Sequence, residues 1–407
     1  MDNILILGAG SLQLPLIEAV KARGYNPVVM SLHADEPGML AVKDTVIGDF
    51  CDEQLTLEVA KRWKVVAVIT DQTDLPVRTI SYVTNALGLP GIDYKTACIF
   101  TDKFLMREKC KEVGIKTIPY KLVDSLEEAI EFFKSLDHAA IIKPICNQGS
   151  KGIYKVTTES ELKAKYTEAC SYSRGDKLLV EEFITGSELV IEALVLEGQV
   201  TNLICGDTHY FKMEDAFAAK DRMFPSKQRK ELVDKALDLN KRIISEFGLE
   251  RGLTHAEYII DGNEIYLIEI AARGGGVYIS SDIIPLMTGL NTPNFIIDIS
   301  TRGKVSYPSI TYQERRVCYI AFFLPEGEIV NFSGVGDIVN MPFVFHNNLE
   351  TIHIGKKIRS NTDKTSRFFM ILAADTDEEL ASRISLIHSI LNVEVLTKNG
   401  LKGIIWD

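Results

Sequence analysis

Residues 255–276 read HAEYIIDGNEIYLIEIAARGGG, and the reading of the whole chain turns on them. Two runs alternate as strands do, Ala256 to Ile260 and Glu264 to Ile270, joined through Asp261-Gly262-Asn263. Asp-Gly followed by Asn between alternating runs is turn chemistry, so a β-hairpin is expected. Glu257 and Glu269 stand on opposite arms, and counting outward from the turn brings the two carboxylates level at the hairpin's open end. With Arg273, Gly274, Gly275 and Gly276 directly after, the pair forms a candidate cation-and-anion site. Oxygen ligands suit Mg²⁺, which is usually held by one or two carboxylates plus substrate phosphates. A single acidic residue on a strand more often just faces solvent. Glu269, however, lies in IYLIEIAA, residues 265–272, a near-continuous apolar strand of the buried kind. A carboxylate there needs a partner, because an unpaired buried charge is costly. Arg273, four residues on, is one candidate and Mg²⁺ another; the hairpin leaves both open.

Composition sets outer limits. The chain has 407 residues, 46% apolar and 25% charged, as in ordinary globular proteins. At roughly 100–200 residues per domain, two to four domains are expected. A net charge of −11 argues against nucleic acid as a partner for the surface as a whole. No apolar run approaches the ~18 residues of a membrane span, and the first residues enter a strand without a basic leader, so no membrane partner is expected. Seven dispersed cysteines with no C-x-x-C pair read as reduced thiols of a cytoplasmic protein. The seven histidines show no zinc-ligand spacing.

The first ninety residues alternate strands and helices: a strand Asn3 to Leu7, the turn Gly8-Ala9-Gly10, a helix Leu12 to Arg23, and strands at Pro27 to Ser31 and Val65 to Thr70. That pattern means βαβ units and a parallel sheet. Gly8-x-Gly10 at a strand–helix junction permits a dinucleotide site. Gln13 stands where the third glycine belongs, and no acidic residue ends the second strand at Ser31, so a tight structural turn is the preferred reading. The run Thr70-Asp71-Gln72-Thr73-Asp74 follows a strand's carboxyl end, where open α/β sheets bind ligands; helix capping is favoured over substrate contact.

In the middle of the chain Thr101 is read as the N-cap of a helix from Phe104 to Val113, with Lys103 at its start. Ser125-x-x-Glu128 and Thr158-x-x-Glu161 are capping boxes. A buried strand, Ala139 to Pro144, carries Lys143 at its end and runs into Asn147-Gln148-Gly149-Ser150-Lys151-Gly152 before the strand Ile153 to Val156. Such a glycine-rich loop between two strands can close backbone N–H groups over phosphate oxygens, with Ser150 adding a hydroxyl and Lys143 pointing at the same anion. A hairpin tip with a solvated lysine is the plain alternative. Farther on, Leu178 to Glu188 reads LLVEEFITGSE: Phe183 and Ile184 can sandwich a purine, and Glu188 can accept from ribose hydroxyls.

Asp-Lys opening a helix, then IIKP, NQGSKG, VEEFIxGxE, HAE and EIAARGGG succeed one another in an order and spacing that resemble the ATP-grasp superfamily over nearly the whole chain. The resemblance implies an α/β and α+β architecture: an amino-terminal parallel α/β layer (1–92), an ATP-grasp domain (93–300) with a lid at about 118–180, and a small carboxyl-terminal α+β domain (301–407). It also implies that Lys103 and Lys143 bind the α- and β-phosphates, while Gly149, Ser150, Lys151 and Gly152 cover the triphosphate. Glu181 and the backbone of Glu182, Phe183 and Ile184 would hold adenine, and Glu188 the ribose. Glu257 and Glu269 would carry Mg²⁺ (or Mn²⁺). Arg273 would face the substrate carboxylate, with Gly274, Gly275 and Gly276 at the oxyanion. Many members have Asn two residues after the second metal Glu; here it is Ala271, one ligand fewer. The E-x-A-A-R form is similar to the L-amino acid ligases, and more distantly the chain resembles biotin carboxylase-like and glycinamide ribonucleotide synthetase-like enzymes.

The implied function is an ATP-dependent ligase that joins a small-molecule carboxylate to an amine through an acyl phosphate, with Lys143 and Arg273 as catalytic groups. A homodimer is compatible with it. Three alternatives stay open: a carboxylase that phosphorylates bicarbonate, a nicotinamide dehydrogenase built on Gly8-x-Gly10, and a silent ATP-binding regulator. Asp207 to Pro225 reads as irregular, either a surface loop or part of a substrate pocket. Arg229 to Phe247 reads as a core helix. Strands are expected at Arg316 to Leu324, Leu349 to Ile354 and Arg367 to Ala373, with a helix from Leu380 capped by Thr376.

Overall fold

A computed structural model describes residues 1–146, 152–173, 177–212, 218–302, 304–359 and 366–407. Gly149, Ser150 and Lys151, assigned above to the triphosphate, lie outside these residues. The chain forms two compact units, Met1–Cys205 with Arg229–Thr311, and Gly206–Gln228 with Tyr312–Asp407.

The first unit begins with strands β1 (Asn3–Leu7), β2 (Asn26–Ser31), β3 (Asp44–Ile47) and β4 (Val65–Ile69), which form a parallel sheet in the order β3-β2-β1-β4. Helices α1 (Leu14–Ala22), α2 (Pro37–Leu40), α3 (Glu53–Trp63) and α4 (Val77–Leu87) connect and follow them. Ile4 to Leu7 are fully buried, as expected of a strand covered on both faces. Gly8 turns the chain at φ +97°, and the buried Gln13 fills the crook of that turn, donating from Nε2 to the Asp71 carbonyl at 2.8 Å. The protein's own side chain thus packs against the turn at the position where the dinucleotide pattern has its third glycine. The capping reading of residues 70–74 is corrected. No side chain caps α4, and Asp71, Gln72 and Asp74 reach across to the glycine turn instead.

Helices α5 (Tyr94–Thr101) and α6 (Lys103–Glu112) come next. Asp102, not Thr101, caps α6, accepting from Phe104 N and Leu105 N at 2.9 and 3.0 Å; Thr101 is the last residue of α5. Strand β5 (Tyr120–Val123), helix α7 (Leu126–Lys134), strands β6 (Ala140–Pro144) and β7 (Tyr154–Val156), helix α8 (Glu159–Ser171) and strand β8 (Leu178–Glu182) build an antiparallel sheet ordered β5-β8-β6-β7, with a core of its own around Val123, Ile142, Leu162 and Val180. Both expected caps form, with Ser125 Oγ accepting from Glu128 N and Thr158 Oγ1 from Glu161 N, while the Glu128 and Glu161 side chains accept one residue ahead of the cap, from Asp124 N and Thr157 N.

Strands β9 (Ser187–Leu196) and β10 (Gln199–Tyr210) follow, then β11 (Ala219–Phe224) in the second unit, helix α9 (Lys230–Glu246), and the long hairpin β12 (Arg251–Asp261) and β13 (Glu264–Ala271). In the first unit the neighbours run β13-β12-β9-β10. Phe100, Met106, Ile243 and Phe247 from α5, α6 and the α9 region pack on this sheet.

In the second unit β11 pairs with the end of β10 and with Arg316–Phe323, which pairs with Arg367–Ala374. Of the segment read as irregular between Asp207 and Pro225, residues 207–210 and Ala219–Phe224 are strand. Leu349–Thr351 is a short helical turn rather than a strand. Thr376 caps the helix Asp377–Ile390, as expected. Among the described residues no helix is long and apolar enough to cross a membrane, and none of the seven cysteines is in a disulfide.

Candidate active site

The hairpin brings its two carboxylates directly opposite each other. Near the turn the register is even, with Asp261 facing Glu264 and Tyr258 facing Leu267. Continued unchanged, it would set Glu257 against Ile268. A β-bulge intervenes between Glu257 and Tyr258, and Glu257 pairs with Glu269 instead. The bulge thus turns two acidic residues at unequal distances from the turn into a level pair. Their side chains are 23% and 32% exposed, so Glu269 is less buried than its apolar neighbours suggest.

The side-chain partner of Glu269 is not Arg273. Lys103, buried at the start of α6, places Nζ 2.7 Å from Glu269 Oε1. Burial presses the Lys103 ammonium pKa down, but Glu269 and then Asp74 overcome this and raise it. Four residues along the same helix, Arg107 is almost wholly buried. Its Nε lies 2.7 Å from Glu181 Oε1, and its Nη2 donates to the carbonyl of Ile268, in the bulge, at 2.7 Å. Glu181 also forms an ion pair with Lys143. Arg107, Glu181 and Lys143 are therefore one buried triad. Burial lowers the Lys143 pKa against the pull of Glu181; burial would raise that of Glu181, but Arg107 and Lys143 bring it below its usual range.

Arg273 does not point at Glu269. It forms a bidentate pair with Asp74, Nε to Oδ1 at 2.8 Å and Nη2 to Oδ2 at 2.9 Å, and Nη1 donates to Gly274 O at 2.9 Å. N–H groups on Nη1 and Nη2 remain to meet another anion. The glycine turn is packed from below. A Cβ on Gly274 would lie 2.2 Å from Ser280 Oγ and 2.7 Å from Asp71 Oδ1, and one on Gly275 only 2.3 Å from Glu192 Oε1. Gln72 Oε1 accepts from Tyr278 N at 2.8 Å. Just there Val277 and Tyr278 hold φ of +50° and +63°, a strained conformation for side chains of their kind. The amide of Gly275 is already engaged, donating to Glu192 Oε2 at 3.0 Å. This leaves it out of the oxyanion set expected from sequence.

The residues that the resemblance assigns to the nucleotide are more separate. The amides of Glu182 and Phe183 donate to Pro119 O and Ala139 O at 2.9 and 2.8 Å, so of the three residues 182–184 it is Ile184 whose N–H remains to meet a purine edge. Ile184 and Ile268 pack on Ile118, Ile259 and Tyr266, an apolar wall between β8 and the hairpin. Lys155 Nζ stands 3.9 Å from the Phe183 ring centroid. Glu188, half-buried, lies opposite Ile259 in the register. Gly152 takes φ +74° against Tyr172.

The main residue that sequence reasoning missed is Glu192, fully buried on β9. It pairs with His255 Nδ1, and His255 Nε2 reaches Glu257 Oε1 at 3.3 Å. Burial presses the imidazole pKa down, but Glu192 and Glu257 overcome that and raise it. The available signal was a lone acid in the apolar run Leu189 to Leu196. For Arg107 it was the four-residue spacing from Lys103, which puts both cations on one helix face.

Among the described residues no group of three or more acidic, His or Cys side chains could hold a metal. The level pair of Glu257 and Glu269 fits an Mg²⁺ ion that draws its remaining ligands from phosphates and water. Ala271, buried opposite His255, adds none.

The ATP-grasp domain family matches residues 136–282, which span Lys143, Glu181, Glu188 and the carboxylate pair. The chain thus carries an ATP-grasp domain. It is 23% identical to the formate-dependent phosphoribosylglycinamide formyltransferase of Sulfurisphaera tokodaii, over 84% of this chain and 86% of that one. In structure it is similar to L-amino acid ligase from Bacillus licheniformis, with TM-score 0.82 at 20% identity, covering 97% and 98% of the two chains. It is also similar to the biotin carboxylase domain of Hydrogenobacter thermophilus 2-oxoglutarate carboxylase, solved with MgADP and bicarbonate, with TM-score 0.76 at 18% identity and coverage of 99% and 91%. These solved structures share the ATP-grasp fold.

Proposed function

We propose that this ATP-grasp protein is an ADP-forming carboxylate–amine ligase. It phosphorylates a substrate carboxylate with ATP and passes the acyl group to an amine, releasing ADP and phosphate. The observation that carries this reading is the level pair Glu257 and Glu269 beside buried Lys103, with Arg273 and the glycine turn immediately after. Glu257 and Glu269 would hold Mg²⁺ or Mn²⁺, which when bound draws charge off phosphate oxygens.

The chain's own residues do the rest. A carboxylate and a nucleotide phosphate are both anions, and Lys103, Lys143 and Arg273 offset their repulsion and stabilise the charge that spreads during transfer. Glu181 holds Lys143 in place while the Ile184 amide and the carbonyls near it read the adenine edge. Glu188 is assigned to the ribose, and Gly149, Ser150, Lys151 and Gly152 to the triphosphate. Arg273, fixed by Asp74, presents its remaining N–H groups to the acyl oxygen together with the amides of Gly274 and Gly276. Residues 118–180 act as a lid that keeps water from the acyl phosphate. Cysteines that form no disulfide support a cytoplasmic setting, and a homodimer remains part of the proposal, to be checked by light scattering.

The experiment is an ADP-release screen across carboxylate and amine pairs with Mg²⁺, with hydroxylamine as a trap. A hydroxamate that depends on one carboxylate is the expected result. ADP release driven by bicarbonate alone would assign the carboxylase chemistry instead, and nucleotide binding with no release would make the protein a silent regulator. Lys143→Ala and Glu269→Ala should abolish carboxylate-dependent ADP release with the circular dichroism spectrum unchanged.

A further inference from the structure

Glu192 occupies a place that ordinarily excludes a carboxylate. It lies midway along β9, flanked by Ile191 and Ala193, and its side chain is fully buried. An ion there is tolerated only if its oxygens are satisfied. Both are, and both partners belong to the candidate active site. Oε2 accepts from the amide of Gly275 at 3.0 Å. Oε1 accepts from Nδ1 of His255, the residue directly across from it on β12. His255 then directs its other nitrogen to Glu257 Oε1 at 3.3 Å. The fit on the turn side is close, since a single methyl group on Gly275 would fall 2.3 Å from Oε1 and 2.9 Å from the carboxyl carbon.

We propose that Glu192 is a positioning residue that locks the glycine turn and, through His255, the carboxylate of Glu257 into one rigid frame. This rests on the reading of Glu257 as a metal ligand. The two things Glu192 holds are 18 residues apart in sequence, Glu257 and Gly275, and on different segments. One would orient the ion and the phosphates it bears; the other sits between Gly274 and Gly276, whose amides are assigned to the substrate carboxylate that receives the phosphate. Their relative placement sets the distance over which phosphate passes, and misplacement of about an ångström is enough to cost a large part of the rate. A carboxylate suits the task because two acceptor oxygens at a fixed spacing meet two donors from two segments. The partner of a ligating side chain tunes affinity in the same way in other metal sites, where its removal weakens binding by about 10–100-fold.

The test reads metal affinity rather than turnover. Mn²⁺ binding to the full chain is titrated by electron paramagnetic resonance with saturating ADP. Glu192→Ala is expected to weaken Mn²⁺ about 10–100-fold with the melting transition still cooperative. Gly275→Ala, which touches neither metal carboxylate but displaces Glu192, is expected to weaken it in the same direction. In the double variant with His255→Ala, removing Glu192 is expected to add no further loss, because its action runs through that ring. Wild-type affinity in a folded Glu192→Ala protein overturns the proposal, and so do additive losses in the double variant. If Glu192→Ala does not fold, Gly275→Ala decides the same question, with unchanged Mn²⁺ affinity as the overturning result. Glu257→Gln and Glu269→Gln separate the two levels of the argument. If both bind Mn²⁺ as the parent does, the metal site itself is misassigned. If both lose it while Glu192→Ala and Gly275→Ala do not, only the positioning role falls.

Discussion

Replacing Asp71 by Asn should stabilise the first unit at neutral and alkaline pH, and by much less in acid. Asp71 is 1% exposed at the end of the first parallel sheet, with Oδ1 accepting from Gln72 N at 2.9 Å and packed against Gly274. Burial pushes its carboxyl up to about 7, an effect that the Ser280 hydroxyl, Arg273 and the Gln72 amide offset only in part. The ordinary value is 3.8. Between these two values the unfolded chain has lost a proton that the native state keeps, so stability falls as pH rises from about 4 to about 7 and then levels off. A shift of about three units corresponds to about 4 kcal/mol at full ionisation. Asn, isosteric with the neutral acid, carries no such cost. The stability difference between Asp71→Asn and its parent should therefore grow by about 2–3 kcal/mol between pH 5 and pH 8. Urea unfolding in a Trp406→Phe background, where Trp63 of the first unit is the remaining tryptophan, measures it. A difference that stays constant across that range would refute the reasoning, because it would mean that Asp71 ionises in the native state as it does in the unfolded chain.

Arg107→Met removes the guanidinium from Glu181 and from the bulge carbonyl of Ile268. A loss of about 3–5 kcal/mol in urea unfolding is expected, as for other broken buried pairs. Arg273→Lys and Asp74→Asn each abolish a bidentate contact, and each should lower kcat for ADP release. A double-mutant cycle on kcat/KM should return a coupling of about 1–3 kcal/mol, and a value near zero would show that the pair does not act as a unit. Lys103→Met frees Glu269 from its ammonium partner. Mn²⁺ should then bind more tightly in the absence of nucleotide, while ADP binds more weakly; movement of both affinities in the same direction, by calorimetry, would contradict the assignment.

The parts of the molecule that could be read from sequence are those whose causes lie within a few residues. Asp261-Gly262-Asn263 between alternating runs is enough to specify the hairpin, and Ser125, Thr158 and Thr376 each cap a helix by accepting from the amide of a Glu three residues on. The cap of α6 is ambiguous in sequence because Thr101 and Asp102 are adjacent and either can accept from a helix amide. The backbone settles the choice, since Lys103 N donates to Ile145 O and α5 runs through Thr101. Residues 70–74 were read as a cap for the same reason: an aspartate before a helix carries the same local pattern whether it caps that helix or reaches elsewhere.

Sequence by itself determined the order of strands and helices, the glycine turn and the set of charged side chains from which a site for ATP and a carboxylate is built. Only the tertiary structure decided how those charges pair. Lys103 meets Glu269 across 166 residues, Asp74 meets Arg273 across 199 and Glu192 meets the Gly275 amide across 83. In the bulge that levels Glu257 with Glu269, the Ile268 carbonyl likewise accepts from Arg107 across 161 residues. Local backbone preference acts over a turn or two and leaves its mark on neighbouring letters. A buried charge is compensated by whatever packing brings within about 3 Å, and that distance has no fixed relation to separation along the chain.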